Sequence, residues 1–218
     1  LFKTGIHTLN DWKLHLLNIF PAWIVLPALG GIGGLVSGLL IAKCAPAASG
    51  SGVSHIMAYL RHKNVPMGLK VGLTKLIAGI VAIGSGFPLG PEGPAVQMGG
   101  SVAWQMAQWL KAPVAFRRVI VAAGGGAGIA AIFSAPIGGF IYAIEELLNS
   151  AKPVVLLLVV VTTFWADTWA DVLQALGLDP KASGFDSILG FQLQREYSPL
   201  INFLPIDLGY LILLGIVI

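Results

Sequence analysis

The stretch from Phe20 to Lys43 is apolar almost throughout. It is longer than the ~20 residues a helix needs to cross a bilayer. Inside hydrocarbon every backbone N–H and C=O must find its partner within the protein, so a lone apolar segment of this kind is a helix. Leu69–Ile83, Val119–Phe133, Ile137–Leu148 and Pro153–Leu176 are further apolar segments. Charged residues make up only 11% of the chain, hydrophobic residues 56%, and the mean hydropathy is +0.83. A soluble domain carries about a quarter charged residues. The 218 residues have room for several spans, so the expected class is all-α, a polytopic membrane protein.

The interruptions are as informative as the spans. Cys44 to Gly52, CAPAASGSG, breaks the first span with small residues. Val53–Leu60 then resumes as a helix too short to cross. Ser51 and Ser54 lie at its start, where hydroxyls and free N–H groups either cap the helix or face an anion. Gly84 to Gly100, GSGFPLGPEGPAVQMGG, holds a single carboxylate, Glu92, in apolar surroundings. Gly90-Pro91-Glu92-Gly93-Pro94 cannot be the middle of a regular helix, because both prolines lack an N–H and both glycines readily adopt positive φ. Ala95–Leu110 reads as a helix, and Pro94 suits its first turn. A helix therefore begins abruptly at a charged side chain. Free N–H groups and the positive end of the helix dipole gather there and favour an anion. Within a membrane such a start is tolerated only where it lines a polar cavity or is packed in protein.

Other features are plainer. Gly30, Gly31, Gly33, Gly34 and Gly38 mark a face for close helix packing. Arg61, His62, Lys63 and Lys70 read as an aqueous loop on the cytoplasmic side. Lys75 lies inside an apolar helix and is expected to snorkel to an interface. Lys111–Arg118 reads as a polar turn around Pro113, and Leu1–Asn18 as the end of a span plus a loop. Glu145-Glu146 ends a helix, where acidic residues oppose the dipole. The pair is either the wet end of the helix or a site in use. Asp167 and Asp171 share a helix face. Gly177–Pro205 is a polar connection, and Leu208–Ile218 is an apolar run too short to cross.

Several function classes are disfavoured. The net charge of +3 is spread out, with no basic run to suggest nucleic acid. Cys44 is the single cysteine, so neither an intrachain disulfide nor a cysteine metal cluster is available. His7, His15, His55 and His62 have no metal-ligand spacing, and no cofactor is implied. An intramembrane enzyme using Glu92 as general base would need a nucleophile or metal partner, and the sequence offers neither. Short helices among full spans are typical of transporters built from inverted repeats. Leu1 is not an initiator Met and the last apolar run is cut short, so the chain reads as a fragment.

Three segments in order resemble the chloride channel (CLC) family of anion channels and anion/proton exchangers. Gly50-Ser51-Gly52-Val53-Ser54 is similar to its GSGIP motif. Gly90-Pro91-Glu92-Gly93-Pro94, continued by AVQMGG, is similar to GREGP or GKEGP. Phe133-Ser134-Ala135-Pro136 through Glu145-Glu146 resembles the FNAPLAG…EE segment. The resemblance covers residues 20–176. It implies a transmembrane domain over 1–218 with broken and tilted helices, comprising the first inverted repeat and the start of the second. The family's GxFxP motif and later anion-site tyrosine belong to the second half.

The resemblance implies roles. Ser51, Gly52, Pro91, Glu92 and Gly93 fall at anion-binding positions. Glu92 matches the external gating glutamate, and Glu146 the internal proton-transfer glutamate of the exchangers. No side-chain relay between the two carboxylates is evident in sequence, so transfer is expected to run through water. Ser51, retained, favours chloride over nitrate or fluoride. Two departures stand out: Pro91 replaces a basic residue and Ser54 replaces the motif's proline. The expected function is chloride/proton antiport by a homodimer in the cell membrane, in contact with lipid. A passive chloride channel on the same scaffold is the alternative.

Overall fold

Prolines and glycines set the helix boundaries. The structure is a computed structural model that describes residues 2–149 and 152–176. In chain order the helices are α1 (Phe2–Ile19), α2 (Ala22–Cys44), α3 (Gly52–Leu60), α4 (Leu69–Gly84), α5 (Glu92–Trp109), α6 (Val114–Phe133), α7 (Pro136–Tyr142) and α8 (Pro153–Ala175). A 3₁₀ turn at Pro46–Ala48 precedes α3, and a π-helical segment, Ala143–Leu148, continues α7. Pro113, Pro136 and Pro153 each stand at or just before a helix start, where a missing N–H removes no helical hydrogen bond.

Among the described residues, three helices are long and apolar enough to cross a membrane: α2, α6 from Phe116 and α8 to Leu173. The nine residues of α3 rise only ~14 Å, about half the ~30 Å hydrocarbon thickness. The outer face of α2 is apolar and uncovered, with Trp23 77% and Leu35 63% exposed. In water such a face would be an interaction patch; in a bilayer it meets lipid. The chain is an integral membrane domain of helices.

The core lies where α5 and α6 cross. Val121 to Gly126 are buried along the middle of α6. The helices meet backbone to backbone at glycine. A Cβ on Gly124 would stand 2.5 Å from the Gly99 carbonyl oxygen, and one on Gly126 would stand 2.6 Å from that of Gly139. Small residues thus let α5, α6 and α7 approach until dispersion contacts are made along the main chain, the principal attraction between helices in lipid. One cluster joins Ile56 of α3, Val96 of α5, Val121 and Ala122 of α6, Met67 and Leu147. A second joins Ala123 of α6 and Ala143 to Val155 and Val159 of α8. The short helix α3 is therefore held in the core.

The structure departs from the sequence reading at several places. Phe2–Ile19 is one continuous helix where a span end and a loop are expected. It leans on α4: a Cβ at Gly84 would stand 2.6 Å from Leu9 Cβ, and one at Gly5 3.0 Å from Ile80. Among the described residues, the α2 glycines Gly33 and Gly34 touch neighbours, at Ser85 and Phe87, while Gly30, Gly31 and Gly38 meet none within 4 Å. Arg117 and Arg118 are helical. Arg117 bridges the α5–α6 turn, its Nε donating to the Ala112 carbonyl at 2.6 Å and its other nitrogen to Gln108 Oε1 at 3.2 Å. The expected connection at 177–205 and the apolar run at 208–218 lie outside the described residues.

Candidate functional site

Two helix N-termini meet. At the start of α3, Ser51 occupies the cap position in extended conformation, yet its side chain makes no capping hydrogen bond. The Ser54 hydroxyl turns back to donate to the Ser51 carbonyl at 2.8 Å. Ser51 Oγ is thus left with no bond to its own helix, against the simple capping reading. At the start of α5 the helix begins at Glu92 itself, three residues earlier than the sequence suggests. Ala95 N–H donates to the Pro91 carbonyl at 3.1 Å and closes the first turn. A helix start leaves four N–H groups without helical partners. Here Pro91 and Pro94 have none to offer, so the free donors are those of Glu92 and Gly93 alone.

These two starts are in backbone contact. A Cβ at Gly52 would collide with the Gly93 carbonyl oxygen and stand 2.7 Å from Gln97 Cβ. From the other side, a Cβ at Gly93 would lie 3.5 Å from Gly52 N and 4.0 Å from Ser51 Oγ. Gly52 and Pro91 are buried, Gly93 is half-buried, and Ser51 and Glu92 are exposed. The Glu92 carboxylate folds back over Gly90, and a Cβ at residue 90 would collide with it. The fold therefore brings Ser51, Gly52, Glu92 and Gly93 to one place, with two positive helix ends converging on it.

Lys75 supports this arrangement, which the sequence reading misses. Its Nζ donates to the carbonyls of Ala48, at 3.1 Å, and of Gly50. The ammonium of α4 thereby ties down the segment that ends at Ser51. Those carbonyls point at no helix of their own, and the only sequence signal is a lysine within an apolar run.

Glu146 opens onto the same region. A cleft of about 440 Å³ is lined by Ser51, Ser54, Met57, Arg61, Lys63 and Glu146, among others. Arg61 and Lys63, expected in a plain aqueous loop, supply positive charge to its wall. Glu146 lies in the π-helical segment, a wider turn that often marks a functional position, and it is exposed. One turn before it stands Tyr142, half-buried against the cluster that contains Ile56 and Val96. Its hydroxyl is buried without a hydrogen-bond partner among the described residues. The signal in sequence is the four-residue spacing to Glu146.

A model of the voltage gated chloride channel family matches residues 33–218. The chain belongs to this family. Among the CLC proteins, the H(+)/Cl(-) exchange transporter ClcA of Vibrio cholerae is 32% identical over 152 residues, which are 67% of this chain and 32% of that protein. Chloride channel protein A of Dictyostelium discoideum is 32% identical over 168 residues, covering 67% of this chain and 20% of that protein. A slow cyanobacterial Cl-/H+ antiporter of known crystal structure matches with a TM-score of 0.70 and 30% identity, over 78% of this chain and 41% of its own. The chain thus spans about a third of the length of the curated CLC exchangers it matches. Its all-helical arrangement, with short helices packed among spans, is that of a CLC antiporter over the matched part.

Proposed function

We propose that this chain carries the first half of a chloride/proton antiporter, with Glu92 as external gate and Glu146 as internal proton-transfer residue. One observation supports this most: the α3 and α5 starts touch at Gly52 and Gly93, and the cleft at Ser51 reaches Glu146. An anion and a proton acceptor thereby come to share one path.

The chemistry follows from competition. An ionised Glu92 side chain is itself an anion at a positive helix start, so it occupies the place a chloride would take. Protonation removes that charge, the side chain gives way, and chloride enters beside Ser51 Oγ and the free N–H groups of α3. Chloride cannot occupy the site while Glu92 holds it; a proton taken from the outer solution also opens the gate, and only a proton passed between Glu92 and Glu146 is transported. Glu146 exchanges protons with the aqueous side that the basic wall of Arg61 and Lys63 faces. No cofactor takes part beyond the transported ions. A homodimer in the cell membrane is the assembly that the resemblance implies.

A passive channel is the second reading, supported by the similarity to a protein named as a chloride channel. Flux measurements separate the two. Purified protein in vesicles with an outward-to-inward chloride gradient is expected to drive protons uphill. Glu146→Gln is expected to abolish that pumping while chloride still moves. Chloride movement with no proton movement in the wild type identifies the channel. Fluxes that fall together in fixed ratio in Glu146→Gln make that residue structural.

A further inference from the structure

We propose that Tyr142 is a side-chain relay on the proton path between Glu146 and Glu92. The inference rests on the exchange reading above and names a residue to which that reading gives no role.

The geometry comes from three elements. Tyr142 is the last residue of α7, and Glu146 follows it by four positions in the π-helical segment. Residues at that spacing lie on neighbouring turns of one face, ~6 Å apart along the axis. The Tyr142 ring packs against the cluster holding Val96, which sits one turn beyond Glu92 on α5. A helical side chain leans toward the N-terminus of its helix, so the surface around Val96 is the surface leading back to Glu92. Tyr142 therefore lies one turn from Glu146 along its own chain and against the core cluster that α5 enters at Val96, one turn beyond Glu92.

The hydroxyl is also unsatisfied. Its oxygen is buried and has no hydrogen-bond partner among the described residues. A buried hydroxyl without a partner is destabilising, and a phenylalanine would fill the same apolar space without that penalty. A tyrosine here is explained if its hydroxyl is used. A phenol both donates and accepts. A proton arriving from Glu146 bonds to the phenol oxygen as the phenol's own proton leaves toward the Glu92 carboxylate. One O–H bond forms and one breaks, and the tyrosine ends neutral. Rotation about the C–O bond resets it. The return transfer reverses the same steps, so no oxidant, reductant or further ion is required.

The test is Tyr142→Phe in reconstituted protein, with chloride and proton flux measured in the same vesicles. The ring and its packing are kept, so chloride flux within about twofold of wild type reports an intact fold. Proton flux is expected to fall by about a hundredfold or more, the contribution typical of a positioned proton-transfer group. Proton flux that keeps its wild-type ratio to chloride overturns the relay and leaves the exchange reading standing. Loss of both fluxes together also overturns it, because the hydroxyl is then structural. A wild type that moves chloride without protons overturns the exchange reading and the relay with it.

Discussion

Gly52 and Gly93 pack so closely that neither helix start tolerates a side chain at residue 52. A Cβ there would collide with the Gly93 carbonyl oxygen and stand 2.7 Å from Gln97 Cβ. The obstructing atoms are main chain and a Cβ, which cannot swing aside. Gly52→Ala is expected to push α3 away from α5, with the 1–3 kcal/mol loss typical of overpacking. Thermal unfolding in detergent would show the midpoint fall, and chloride flux would drop further than stability alone explains. A variant with wild-type midpoint and flux would mean that the two helix starts are not held against each other.

Lys75→Met is expected to loosen the segment that carries Ser51. The ammonium bonds the carbonyls of Ala48 and Gly50, and hydrogen bonds to charged groups are worth about 1.5–3 kcal/mol. Methionine keeps the length and apolar body but leaves both carbonyls without a partner. Chloride affinity, measured by calorimetry, should weaken by about tenfold or more, together with a lower unfolding midpoint. Unchanged affinity would reduce Lys75 to a packing residue.

Pro91 predicts an asymmetric anion path. With Pro91 and Pro94 at the start of α5, only Glu92 and Gly93 offer free N–H groups there. Ser51, Gly52, Val53 and Ser54 all retain theirs at α3. The outer end of the path also lacks the basic side chain found in the family motif. Bromide anomalous scattering should give a strong peak beside Ser51 and a weak one beside the N–H groups at Glu92. Pro91→Arg, which restores a charge and a donor, should strengthen the outer peak. Equal peaks in the wild type would show that the proline does not matter.

Much of this site is legible in the chain. Glycine and proline at 90–94 announce an abrupt helix start, because neither residue leaves the local backbone many alternatives. The small residues at 44–52 do the same for α3. The carboxylates stand out through isolation in apolar sequence. What is not legible is tertiary. Nothing near Lys75 in sequence says that its ammonium will reach carbonyls about twenty-five positions earlier, since a lysine in an apolar helix usually runs to an interface. Arg61 and Lys63 read as a solvated loop because their sequence neighbours are polar; the cleft they line is built by α3 and the distant Glu146. The α2 glycines mislead for the opposite reason. A glycine stripe permits close packing on any side, and only contacts formed elsewhere decide which glycines are used.

The central claim is that Glu92 competes with chloride for one site and gives it up on protonation. Glu92→Gln imposes the neutral state permanently. In reconstituted vesicles, a chloride gradient should still drive chloride through this variant, while the proton movement it drives in the wild type disappears. Chloride-driven proton uptake at the wild-type rate in Glu92→Gln would contradict the account.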